Sequence, residues 1–374
     1  MNTQSNERKN PRKVLCIFGL PIDVITMSET VQRIREAARS QKKIFLSTPN
    51  LNFLIGCMHD AAFRQSVIDS DMSVADGMPL VWMSRLLGVP LPERVTGSGL
   101  FERLNTDPLP AGEEPIKVFF FGGPPGAAEA ASQRLNSHAG GLICVGYETP
   151  GFGSVEELSK PDVIARINAS GASFLVVALG AVKGQAWILH NLAQLQVPII
   201  SHLGAVINFS AGTINRAPPW MQRTGLEWVW RIKEEPLLWR RYWRDGKALL
   251  SLVFNKLLPH ALWLRWQSKQ TAARATLTSQ AGVTHLKIEG FIPDPVPETV
   301  LSTLQQAAST NKPVILDLHQ ATGFGPSFAA QLLLLDKNLT LRDQHLQISP
   351  TPPRLKRLFE WNGIDYIIKT PTKN

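Results

Sequence analysis

Five short segments of this chain place polar or charged side chains directly behind apolar runs, where they can do chemistry. In residues 47–53 (STPNLNF), Thr48, Asn50 and Asn52 surround a proline turn and offer short polar groups suited to a sugar or a nucleoside. The same Thr-Pro-Asn is also an ordinary turn. Asp76 ends another apolar run. A carboxylate there can take the proton of an attacking hydroxyl, or it can cap the helix that follows. Arg94 follows a Pro-rich turn and is placed to reach a phosphate. Gly122 and Gly123 open a Gly-Gly-Pro-Pro-Gly turn between a strand and a helix, which either turns backbone N–H groups towards an anion or is simply a tight turn. Gly180, Lys183 and Gln185 follow a further strand and suit phosphate and sugar hydroxyls, with a surface lysine as the plainer reading. None of these is a dinucleotide fingerprint or a P-loop, so neither NAD nor ATP is indicated.

Residues 201–244 are of another kind. Small glycine-rich elements lead into an Arg-Ala-Pro-Pro-Trp turn and then a run dense in tryptophan and arginine. Between Arg216 and Arg274 there are 12 Lys/Arg against 4 Asp/Glu, so this stretch holds nearly all of the net charge of +9, and seven of the ten tryptophans lie in it. Arginine offers a planar fork of donors for phosphate, and tryptophan suits the boundary between apolar and wet phases. Their interleaving favours a membrane surface over nucleic acid, and no nucleic-acid-binding signature accompanies it. Residues 247–266, the most apolar part, are interrupted by Lys256, Pro259, His260 and Arg265. They read as amphipathic helices lying on a bilayer or packed on the protein's own core. The three cysteines are far apart, without metal-ligand or disulfide spacing, which fits buried thiols in a reducing compartment. Residues 1–13 are polar and basic, and read as disordered rather than as a signal peptide.

The elements that must position these residues alternate. Apolar strands at 14–18, 44–47, 118–121 and 174–179, and a strand end at 74–76, are separated by helical patterns such as 27–40. Continuous rather than alternating strands imply an α/β fold, Rossmann-like, with a mainly parallel sheet covered on both faces. Ligands then bind beyond the carboxyl ends of the strands. The expected organisation is an α/β domain over 14–215, a basic Trp-rich appendage over 216–270, a linker over 271–282 and a small α/β domain over 283–374. The last has strands at 284–288, 313–318, 345–348 and 366–368, and helices at 296–308, 327–341 and 353–361.

These pieces, in this order, resemble the WecG/TagA/CpsF family of bacterial glycosyltransferases. The matching residues are T-P-N at Thr48, A-D-G at 75–77, P-E-R-V-T-G at 92–97, F-F-G-G at 120–123, the run G-A-V-I-N-F-S-A-G-T-I-N-R-A-P-P-W at 204–220, L-E-W-V-W-R at 226–231 and R-R-Y at 240–242. The resemblance implies an inverting transfer of a sugar from a UDP-sugar to a polyprenyl-diphosphate-linked acceptor, on the cytoplasmic face of the membrane, without a metal or other cofactor. It implies Asp76 as general base and Thr48 and Asn50 as sugar contacts. Arg216, Arg231, Arg240, Arg241 and Arg244 become the residues that hold the UDP diphosphate. The family's G-x-P-K-Q-E block departs here, with Val182, Gly184 and Gln185 in place of proline, glutamine and glutamate. The expected role is exopolysaccharide or capsule synthesis. A silent UDP-sugar-binding or scaffold protein is the second reading. Residues 283–374 resemble a STAS domain, an interaction module for a protein partner or for self-association. In that resemblance Ser327 falls at a regulatory phosphoserine, although a helix-capping serine fits the same place.

Overall fold

The computed structural model describes residues 12–212, 217–267 and 273–369. Residues 1–11 and Arg216 lie outside the described residues. Arg12, placed by the sequence in the polar terminus, grips Asp23 with its guanidinium through two hydrogen bonds of 3.0 and 2.6 Å.

The first two strands, β1 (Val14–Ile17) and β2 (Leu20–Asp23), form an antiparallel hairpin of their own, not the first strand of a parallel sheet. Leu15 and Ile17 enter one core while Val14 and Cys16 enter another, which is why this short strand is apolar throughout. The helix Met27–Ser40 starts at a capping box in which Thr26 and Glu29 satisfy each other's backbone N–H groups.

The main sheet contains β3 (Ile44–Ser47), β4 (Met72–Ser73), β5 (Ile116–Gly122), β6 (Leu142–Glu148), β7 (Phe174–Ala178) and β8 (Ile199–His202), in the order β4-β3-β8-β7-β5-β6. All its pairings are parallel. The chain runs outward to opposite edges, β3 to β4 on one side and β5 to β6 on the other. That reversal opens a crevice at the carboxyl ends of the central strands. Val118 and Phe120 pack into the core on one face, and Phe119 and Phe121 into the core on the other. Burial on both faces explains the uninterrupted apolar run, and each such side chain contributes about 1.5–3 kcal/mol.

Residues 217–267 are helical: Pro219–Thr224, Glu227–Glu234, then a long arm of Leu238–Leu252, a π turn at Val253–Leu257 and Leu258–Trp266. Pro259 cannot donate to the preceding turn, and the wider π turn absorbs the loss. No helix among the described residues is long and apolar enough to cross a membrane.

The C-terminal module is a second sheet, of β9 (Arg274–Gln280), β10 (Val283–Ile292), β11 (Val314–Asp317), β12 (Ala321–Phe324) and β13 (Leu346–Ile348), with helices Glu298–Ser309, Pro326–Thr340 and Pro353–Asn362. Two expectations are corrected here. Most of the supposed linker is β9, paired antiparallel along β10. Its small polar residues alternate with Ala275 and Leu277, which cover the module's core, as an edge strand requires. The supposed last strand is a helical turn, Tyr366–Lys369, whose Ile367 reaches the core beside Ile364, which precedes the turn. Ser327 is buried as the second residue of its helix, and the cap is Gly325. The Ser327 N–H bonds to Asp294 Oδ1 (2.9 Å), and desolvation pushes that carboxyl up to about 6. A phosphate on Ser327 would face this carboxylate in a dry site, an arrangement that opposes modification there.

Candidate active site

At the carboxyl ends of the central strands lies a cavity of about 1110 Å³. Its floor comes from the turns after the strands: Thr48 and Asn50 after β3, Asp76 after β4, Gly123 after β5, Gly180 and Lys183 after β7, and His202 at the end of β8. Its roof comes from the helical segment, with Glu227, Trp228 and Arg231 on one helix and Trp239, Arg241, Tyr242 and Asp245 on the arm.

Asp76 is held through both its backbone and its side chain. Its N–H bonds to Pro49 O (2.8 Å), and the neighbouring Ala75 carbonyl accepts from Val95 (3.0 Å). Its Oδ2 accepts the N–H of Gly97 (3.2 Å), the first residue of the helix Gly97–Thr106. The aspartate therefore braces a distant helix and does not cap the next one, Met78–Leu86, whose cap is Gly77. Desolvation pushes the Asp76 carboxyl up to about 6, against smaller opposing effects of the Gly97 bond and the Arg94 charge. A carboxylate tuned there is a stronger base than an ordinary aspartate while still ionised at neutral pH.

Two side-chain pairs tie roof to floor. Arg94 Nη1 meets Glu227 Oε2 at 2.9 Å, and Asn52 Nδ2 donates to Asp245 Oδ2 at 3.1 Å. Arg94 is thus partly committed to a carboxylate. Arg231 lies with its guanidinium 5.3 Å from the centre of the Phe209 ring, and Arg241 with its own 5.2 Å from that of Tyr242. Both line the cavity and bring charge to it.

Several expected contacts are placed elsewhere. Asn50 lines the cavity, but its Oδ1 caps the helix Leu51–His59 by accepting from Phe53 N (3.1 Å). Gly122 is not among the lining residues. It packs against β7, where a Cβ would lie 2.6 Å from Ala178 O, and the Gly123 N–H is used by that same carbonyl (2.9 Å). Lys183 lines the cavity, with its Nζ bonded to Gly153 O (2.7 Å), so it steadies the loop carrying the exposed Phe152. Gln185 is fully buried and donates to Ser47 Oγ (2.9 Å), because two residues beyond Lys183 a helix presents its opposite side. Arg240 and Arg244 stand on the outer side of the arm, exposed. Among the described residues no cluster of His, Cys, Asp or Glu is arranged to hold a metal.

His202 was not legible as a site residue, since a lone histidine ending an apolar strand reads as core. It lines the cavity, burial pushes its pKa down to about 4, and its Nε2 has no hydrogen-bond partner among the described residues. It occupies the room left by Gly184, where a Cβ would sit 2.2 Å from its Cδ2. Glu227, Tyr242 and Asp245 were also missed, because the helices that bring them over the floor are remote in sequence.

The sequence model described as "Glycosyl transferase WecG/TagA/CpsF family" matches residues 15–262. A protein of Bacillus spizizenii named N-acetylglucosaminyldiphosphoundecaprenol N-acetyl-beta-D-mannosaminyltransferase is 28% identical over 213 residues, covering 57% of this chain and 79% of that protein. A protein of the same name from Staphylococcus aureus (strain MW2) is 26% identical over 240 residues, covering 64% and 90%. With well over half of the chain matched, and its strand-end cavity inside the matched region, the protein belongs to the WecG/TagA/CpsF family and is a glycosyltransferase.

Proposed function

We propose that the protein transfers a hexose or N-acetylmannosamine-type sugar from a UDP-sugar to a polyprenyl-diphosphate-linked N-acetylglucosamine acceptor, with inversion, in building an exopolysaccharide or capsule precursor. The observation that carries this reading is the placing of Asp76 on the cavity floor with Arg231 and Arg241 in the roof. The acceptor hydroxyl attacks the anomeric carbon and passes its proton to Asp76 as the new C–O bond forms. The bond from that carbon to the β-phosphate oxygen breaks, and UDP leaves with the electron pair. A single displacement inverts the centre. Arg231 and Arg241 offset the charge on the departing diphosphate, in a cavity where Thr48 and Asn50 meet the sugar. The acceptors named for the two relatives are of this lipid-linked class.

The same reading places the protein peripherally on the inner face of the cytoplasmic membrane. Trp243, Phe254, Leu262 and Trp266 are exposed along the arm, beside Arg240, Arg244 and Lys247. Aromatic and aliphatic groups flanked by cations suit an anionic interface. The test is UDP release from a panel of UDP-sugars, with a polyprenyl-diphosphate N-acetylglucosamine acceptor and EDTA present. Acceptor-dependent release from one donor is expected. Release from none, or only when metal is restored, overturns the reading.

A further inference from the structure

The arm that roofs the cavity is held mainly at its far end. The helix Glu227–Glu234 has no buried residue, and Leu238–Leu252 buries only Asp245 and Leu252. Beyond it the arm lies between two bodies. Leu252 and Leu257 enter the core of the glycosyltransferase domain, while His260 and Trp263 meet the C-terminal module. The His260 ring is buried and stacks on Trp361 at 5.7 Å, and Trp263 packs against Trp361 (6.5 Å) and Phe291 (6.1 Å). Trp263 fits only because residue 323 is glycine, where a Cβ would lie 2.3 Å from its Cη2.

The module that grips the arm is itself bolted to the floor. Asn362, the neighbour of Trp361, accepts from Cys16 Sγ in the hairpin (3.3 Å). Lys337 Nζ donates to Asp69 O (2.7 Å) and Ser70 O (3.0 Å), in the turn that leads into β4. The Arg64 guanidinium lies 4.0 Å from the centre of the Tyr366 ring. One helix end thus joins arm to hairpin through two adjacent residues.

We infer that the C-terminal module is a clamp for the transferase: it holds the arm at His260 and Trp263 and thereby positions Arg241, Tyr242 and Asp245 over the cavity. His260, Trp263 and Trp361 are positioning residues, none of them lining the cavity. The lever explains why this matters. At 1.5 Å per residue Arg241 stands about 16 Å along the arm from Leu252, where the arm leaves the transferase core, so a tilt of about 5° passed on from His260 and Trp263 moves it ~1.5 Å. A displacement of about 1 Å already costs ~100-fold in a transfer that depends on alignment. The consequence for turnover rests on the function proposed above; the clamp itself does not.

The experiment compares full-length wild type, Gly323→Ala and the pair Gly323→Ala with Trp263→Phe, by hydrogen exchange and by transfer kinetics. Gly323→Ala pushes on the Trp263 ring, and phenylalanine removes the atoms it strikes. The single variant is expected to raise exchange across residues 238–252, with β5, β7 and β8 still protected, and to lower kcat at least tenfold. The pair is expected to restore both. Unchanged exchange in the arm, or increased exchange with kcat intact, overturns the clamp, as does loss of kcat that the pair fails to rescue. Trp361→Leu removes the stack without adding atoms and gives the same readout should Gly323→Ala not fold. If wild type transfers no sugar, the function fails while the exchange comparison still decides the clamp.

Discussion

Floor and roof of the cavity are built on opposite principles. The floor is made of turns locked to a six-stranded parallel sheet, and its chemistry-bearing groups are desolvated, as the half-buried Asp76 and the buried His202 show. The roof is made of helices that bury almost nothing of their own and reach the floor through the Arg94–Glu227 and Asn52–Asp245 pairs. Proton transfer needs a fixed, tuned carboxylate. On the function proposed above, admitting a nucleotide-sugar and a lipid-linked acceptor needs a wall that can be made and unmade. Rigidity sits with the base and adjustability with the cations.

The sharpest way to break this contrast is at Asp76. Asp76→Asn is expected to lower transfer by ~10²–10⁴-fold, with UDP binding by calorimetry nearly intact. It is also expected to raise the melting temperature at pH 7–8. The folded-state pKa of about 6 lies above the ordinary 3.8, so burial penalises the charged form, and that penalty grows from pH 3.8 to 6 and is complete above it. A variant less stable than wild type at pH 8 would show that the carboxylate is structural. In the roof, Arg231→Ala or Arg241→Ala is expected to cost ~10–100-fold in kcat/KM for the UDP-sugar, the size of a lost charged hydrogen bond. An equal loss for a donor lacking the diphosphate would remove that role. Arg94→Ala and Glu227→Ala each cost several-fold, and the double variant no more than either single, if the pair acts as one tie. The pH profile of kcat/KM is expected to fall below about 6 as Asp76 takes up its proton; a limb that persists in Asp76→Asn would belong to another group. The smallest effect is expected outside the cavity. Phe254→Ser with Trp266→Ser, both exposed and neither lining the cavity, should weaken pelleting with anionic vesicles several-fold and leave turnover on a short, water-soluble acceptor unchanged.

What the sequence disclosed follows the same division. Strand-end turns are local: an apolar run followed by Thr-Pro-Asn or by Asp-Gly marks its own place, so Thr48, Asn50 and Asp76 could be singled out, and all three line the cavity. The helix Met27–Ser40 was legible because period and cap signals agree. The roof was legible in composition but not in geometry. Of five arginines proposed for the diphosphate, Arg216 lies outside the described residues, Arg231 and Arg241 line the cavity, and Arg240 and Arg244 are exposed, the last three being sorted by the rotation of a single helix. Gln185 follows the same rule: two residues beyond Lys183 the helix turns it away from the cavity and onto Ser47. Small polar residues at 274–280 concealed an edge strand, whose outer face has no apolar partner to announce it.

The hairpin at the start of the chain has a consequence for how the protein is made. Val14 and Cys16 belong to the same core as Phe324, Phe328 and Phe359, and Cys16 bonds a carbonyl 346 residues away. This strand leaves the ribosome about three hundred residues before the helices Pro326–Thr340 and Pro353–Asn362 that complete its core, and cannot finish burying itself until they have emerged. Nascent chains therefore carry an open apolar edge for most of their synthesis, the condition under which aggregation and chaperone capture compete with folding. A chain cut after the arm would leave that edge uncovered for good.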